Sequence, residues 1–136
     1  MKFIDLINLI ESTDNLSAYY DRLSAARYKV FKTSPVIGIF LRNLSVITTK
    51  DVDTMAVSPK GNIFINPEFG MSISFNEFVG VLAHEAMHII NFTFNRRQGR
   101  DMRLWNVATD YIMNRDLLAS GFSLPSGGLI PVDGKI

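Results

Sequence analysis

The two histidines of the 136-residue chain stand four apart, in His84-Glu85-Ala86-Met87-His88. That spacing has a chemical use. On an α-helix, residues i and i+4 lie one turn apart on one face, so both imidazoles reach a single metal ion at ~2.0–2.1 Å. Glu85, about a quarter-turn further round, does not ligate but reaches a metal-bound water as general base. The H-E-x-x-H pattern therefore predicts a Zn²⁺ site that activates water, with His84 and His88 as ligands and Glu85 as the catalytic residue. The competing reading is two core histidines bonded to backbone or water beside a salt-bridged Glu85. It leaves three polar groups in an apolar run, where burial without partners is costly.

Composition narrows the third ligand. A catalytic zinc takes three protein ligands and a water. The chain has no Cys and no further His, so the remaining ligand should be a carboxylate. Glu77 shares the face of His84, but seven residues amount to about 10.5 Å of helix, too far for the same ion. Downstream lie Asp101, Asp110, Asp116 and Asp133. Asp101 reads as a helix cap, Asp116 neighbours Arg115 near a helix end, and Asp133 sits in the tail. Asp110 stands mid-helix, where Asn106, Asp110 and Asn114 form a polar line at i, i+4 and i+8 on an otherwise apolar helix. Buried polar groups need partners. Asp110 is thus the candidate third ligand, with Asn106 and Asn114 supporting the site; a solvated helix face is the alternative.

These residues need elements to position them. Residues 1–43 read as mainly helical, since Leu16, Tyr19, Tyr20, Leu23, Ala26 and Val30 recur at spacings of three and four. Ser34-Pro35 interrupts the pattern, with Ser34 able to cap a second helix and Pro35 to open it. Residues 44–67 change period. Leu44–Thr48, Thr54–Val57 and Asn62–Ile65 predict a small, mainly antiparallel three-stranded sheet, the last two joined by Ser58-Pro59-Lys60-Gly61. Asn66-Pro67 ends the last strand. Ser74-Phe75-Asn76-Glu77 is a capping box opening a helix over 74–95 that carries the histidines. A further helix spans 101–120, with Gly121 as its stop, and 121–136 is a loop-like tail.

A chain of this length is expected to form one domain, 1–136. Its 47% hydrophobic and 20% charged residues are a globular balance. Without Cys, disulfides, Cys-ligated metal and a Cys nucleophile are excluded. A net charge of +1 supplies no overall field for nucleic acid or an anionic membrane. Arg96, Arg97, Arg100 and Arg103 form the one basic cluster, without interleaved aromatics, and read as a solvated loop. No signal-like leader and no uncharged apolar run of about 18 residues is present, so a cytoplasmic protein is expected.

The combination resembles a known family, the putative metallopeptidase domain of bacterial and phage proteins, often followed by a von Willebrand factor A-like domain. The matching pieces are Thr54-Met55-Ala56-Val57, Asn66-Pro67-Glu68-Phe69, Val81 to His88 and Trp105 to Asn114. H-E-x-x-H is common to many zincins; the Asn106-x-Ala108-x-Asp110-Tyr111-x-x-Asn114 element is the more specific part. The resemblance covers roughly residues 10 to 130. It implies zinc ligands at His84, His88 and Asp110 and a catalytic Glu85. It also implies a von Willebrand A-like partner domain, for which this length leaves no room, so a stand-alone version or a fragment is expected.

The expected protein is an α+β, zincin-like metallopeptidase: N-terminal helices, a small sheet, the H-E-x-x-H helix and a final helix carrying the third ligand. Its substrate is a peptide or protein, added as a strand to Thr54–Val57 or Asn62–Ile65. Tyr111, about 100° round the helix from Asp110, is expected to pack rather than to stabilise an oxyanion. The alternative function is a non-catalytic, zinc-stabilised binding module with a closed four-ligand site. Hydrolysis of a non-peptide amide is also compatible with the motif.

Overall fold

Ser34 and Pro35 divide the N-terminal helical region in two in the computed structural model, which describes residues 2–91 and 98–125 and, over 9–14, the backbone alone. Helix α1 runs Phe3–Thr33 and α2 runs Pro35–Arg42. The Ser34 hydroxyl accepts the Ile37 N–H, and Pro35 occupies the first turn, where its missing N–H costs nothing. α2 folds back on α1 so tightly that a Cβ on Gly38 would collide with the Phe31 backbone. Tyr19, Leu23, Ala26 and Val30 are the buried face of α1. Leu16 and Tyr20, from the same expected stripe, are exposed at its flank.

Three strands follow: β1 (Ser45–Thr48), β2 (Met55–Val57) and β3 (Asn62–Ile65). β2 and β3 form the expected antiparallel hairpin, with Gly61 at φ 91° closing the turn. The sheet as a whole is mixed rather than mainly antiparallel. Its order is β1-β3-β2, and β1 runs parallel to β3 with Val46 opposite Ile63. The cause is the connection 49–54. It carries the chain past the end of the place β3 will occupy, roughly 9.6 Å across two strand spacings, so β3 enters between its predecessors. Residues at the end of β3 hold that crossing: Ile65 C=O accepts the Thr49 N–H, the Asn66 N–H donates to Thr54 C=O, and Asn66 Nδ2 donates to Val52 C=O. Strand periodicity reports which residues are extended, not which strand is the neighbour.

Asn66-Pro67 ends the strand by starting an unexpected helix, α3 (Pro67–Ser72). Asn66 Oδ1 accepts from the N–H groups of Glu68 and Phe69. This is the same polar-cap-then-proline signature as Ser34-Pro35. Arg22 of α1 donates to the Gly70 and Ile73 carbonyls and ties the end of α3 down.

α4 (Phe75–Ile90) begins with the capping box: Ser74 Oγ accepts Glu77 N–H at 3.1 Å and Glu77 Oε1 accepts Ser74 N–H at 3.2 Å. Beyond Asn76 every residue of α4 is buried or half-buried, as an apolar run requires. Residues 92–97, including Arg96 and Arg97, lie outside the described residues. α5 (Met102–Ala119) is capped by Asp101, whose carboxylate accepts Leu104 N–H at 2.9 Å. It ends in a Schellman arrangement: Gly121 at φ 98° donates to Leu118 C=O, and Phe122 N–H reaches back to Leu117 C=O. The tail from 126 on, with Asp133, lies outside the described residues.

The described residues make an α+β fold of five helices and one three-stranded sheet. α4 is its centre, packing against α1, α2, β2 and α5. Phe78, Leu82 and Ala86 of α4 meet Tyr19 and Val30, Leu41, Ile63 and Ile65, and Leu117 in one core. No helix among the described residues is long and apolar enough to cross a membrane.

Candidate metal centre

α4 supplies His84 and His88 from successive turns, and α5, packed alongside, supplies Asp110. Three atoms converge. His84 Nε2 and His88 Nε2 lie 3.2 Å apart. Asp110 Oδ1 is 3.2 Å from the first and 2.9 Å from the second. Ligands at ~2.0–2.1 Å from a tetrahedral ion are separated by roughly 3.3 Å, close to all three edges of this triangle.

The protons decide what the triangle is. Nδ1 of His84 donates to the side-chain Oδ1 of Asn114 at 2.6 Å. A neutral His84 therefore has its proton on Nδ1 and its lone pair on Nε2, aimed at the other two atoms. Asp110 Oδ1 is buried, and although both rings are within ion-pair distance it accepts no well-directed hydrogen bond. A lone pair facing a carboxylate oxygen, with a second ring nitrogen beside them, is repulsive unless a cation joins them. The residues present fit a divalent metal ion, and among the described residues they are the one such group.

Without a metal, protons take over part of that duty. Burial opposes charge on His84, but Asp110, Glu85 and the bond to Asn114 together outweigh it and raise its pKa. Burial also works against the Asp110 carboxylate, yet the two imidazoles hold its pKa well below the usual carboxylate range. Burial pushes the Glu85 carboxyl up, with Asp110 adding to the rise and the two histidines opposing it. Glu85 is half-buried, and among the described residues it makes no hydrogen bond or ion pair. The salt bridge that the competing reading gives Glu85 is not found among the described residues.

Of the two asparagines expected to support the site, the structure brings one there. Asn114 is buried against His84. Asn106 is exposed, and its side chain makes no hydrogen bond among the described residues; its backbone carbonyl accepts the Thr109 hydroxyl. The reason is where α5 meets the rest of the fold: its buried residues are Tyr111, Met113, Asn114 and Leu117, all in its second half. Tyr111 is packed, as its angular offset from Asp110 implies. Gly80 did not stand out in the sequence. It sits one turn before His84 on the same face, and a Cβ there would collide with the Ser123 carbonyl, so the segment after α5 crosses α4 beside the site. A glycine inside an apolar helix, at a cost of about 1 kcal/mol relative to Ala, was the available signal.

A family model described as "Putative metallopeptidase domain" matches residues 18–133. The chain belongs to that family. The match takes in every element from the latter part of α1 through α5, and with them the whole His84–His88–Asp110 group. Curated proteins and solved structures yield no match.

Proposed function

We propose that this chain is a zinc-dependent peptidase of zincin-like design, in which His84, His88 and Asp110 hold the metal and Glu85 is the general base. The observation that carries the reading is the triangle of two imidazole Nε2 atoms and a buried carboxylate oxygen without a well-directed hydrogen bond, with a half-buried Glu85 on the same helix. An N,N,O donor set suits zinc among the common biological cations, though imidazole also takes iron, nickel and copper. Bound there, zinc would supply Lewis acidity, bringing water towards a neutral pKa and polarising a carbonyl.

The protein's own part falls to Glu85, His84 and Asn114. The carboxylate of Glu85 takes a proton from the attacking water and passes it to the amine nitrogen as the C–N bond breaks. Asn114 keeps His84 in one tautomer and one orientation throughout. Among the described residues β3 is the central strand, paired on both sides. β2 is an edge strand packed on α4, so we assign substrate pairing to it. A closed four-ligand site would need a fourth donor. Three, not four, converge among the described residues, and the side chain of Asp110 is 32% exposed against 14% for His84, which favours a site open on the Asp110 side.

Glu85→Gln is the decisive substitution. It should retain zinc, measured by metal analysis of the purified protein, and lose at least roughly a hundredfold of peptide hydrolysis. Undiminished turnover with full zinc would remove the mechanism; zinc binding with no turnover in either form would favour the binding module.

A further inference from the structure

Helix α1 is apolar on two sides. Tyr19, Leu23, Ala26 and Val30 are consumed by the core. Phe3, Leu6, Ile7, Tyr20, Tyr28 and Phe31 are exposed, Phe3 to 78% and Tyr28 to 63%. At 100° per residue these six fall within an arc of about 140° on the opposite side of the helix, while Ile4 and Leu16, also exposed, lie outside it. A stripe of that width ordinarily marks a packed face, and nothing in the described chain covers it.

Charge indicates what does. Along α1 the acids Asp5, Glu11, Asp14 and Asp21 all precede the bases Arg22, Arg27, Lys29 and Lys32, and no acid follows until Asp51. Helix-dipole stabilisation acts only within the first and last turns. It accounts for Asp5 and for Lys32, not for acids extending to Asp21. Arg22 and Arg27 are partly engaged with backbone carbonyls, which leaves Lys29, Lys32 and the nearby Arg42 exposed at the basic end. At that end a cleft of about 290 Å³ opens between α1 and α2, walled by Tyr28, Phe31 and Ile39 and rimmed by Arg27 and Arg42. The complement of a basic, aromatic cleft is an acidic, apolar helix, and the first half of α1 is one.

We propose that two copies of this chain pair through α1, antiparallel about a two-fold axis. The acidic half of each helix then lies against the basic half of the other, with the outer apolar stripes between them. An isologous contact of this kind closes on itself, so one surface satisfies both unpartnered halves. None of the metal-centre residues takes part.

Sedimentation equilibrium of the full chain over a range of concentrations tests it. The wild-type chain should show a dimer mass. Tyr28→Lys should weaken the dimer roughly tenfold or more with unchanged helix content by circular dichroism. A charge-swapped pair guards against misfolding. A chain carrying Asp14→Lys and Asp21→Lys, and another carrying Lys29→Glu and Lys32→Glu, should each remain monomeric alone and associate when mixed. A wild-type mass that stays monomeric at the highest soluble concentration overturns the proposal. So do swapped chains that self-associate as strongly as wild type, or folded swapped chains that fail to associate with each other.

Discussion

At the scale of single residues, the site turns on which nitrogen of His84 carries its proton. The bond from Nδ1 to Asn114 leaves Nε2 as a donor to a metal, and it does so from the buried side. Removing Asn114 should therefore loosen the metal without removing a ligand. Asn114→Ala is expected to cost about 10- to 100-fold in zinc affinity, and Asp110→Ala considerably more because it takes away a coordinating oxygen. Competition with a chromophoric chelator measures both. Asn106→Ala should leave affinity unchanged, since that side chain is exposed and unbonded among the described residues. Equal losses at Asn106 and Asn114 would mean that the polar line acts as a unit, as its spacing suggests but its contacts do not.

Among the elements, α4 carries the greatest constraints. It must be apolar enough to sit at the centre of the fold and still present two imidazoles towards α5. The capping box fixes where it starts, and hence the angular phase of His84 ten residues on. Gly80 fixes how closely the segment 122–125 can approach. Gly80→Ala would gain helix propensity, about 1 kcal/mol, but the new Cβ meets a backbone carbonyl that cannot rotate away. Overpacking of this type costs about 1–3 kcal/mol, so the variant should be less stable in urea denaturation despite the better helix former. An increase in stability would show that the crossing segment yields freely.

For the molecule as a whole, the candidate metal centre joins α4 to α5, and pH should set the strength of that clasp. The raised pKa of His84 means that the metal-free protein gains stability from protonating it. That gain is full below the ordinary histidine value of about 6.5 and is lost as pH rises through the raised one. The depressed pKa of Asp110 contributes stability above the ordinary carboxylate value of about 3.9, lost only as pH falls through the depressed one. Zinc requires the neutral ring, so its stabilisation has the opposite trend to that of His84 protonation. The difference in Tm between zinc-loaded and chelator-treated protein should widen from about pH 5.5 to about pH 8, reaching on the order of 10 °C at zinc well above its Kd. A gap that stays constant would separate metal binding from His84.

Much of this protein is local, and local features are legible in a linear string. Caps at Ser34, Ser74 and Asp101, the stop at Gly121 and the one-turn spacing of the histidines depend only on neighbours within a few residues. A residue count alone makes a carboxylate the candidate third donor when no Cys or further His exists. Tertiary structure decided the rest. It put β3 between its predecessors, because strand order depends on where a connection lands. It chose Asn114 over Asn106, because a helix crossing selects one end of an i, i+4, i+8 line. It also made Gly80 necessary and left one side of α1 uncovered, because close approach and exposure are properties of surfaces that meet only once the chain has folded.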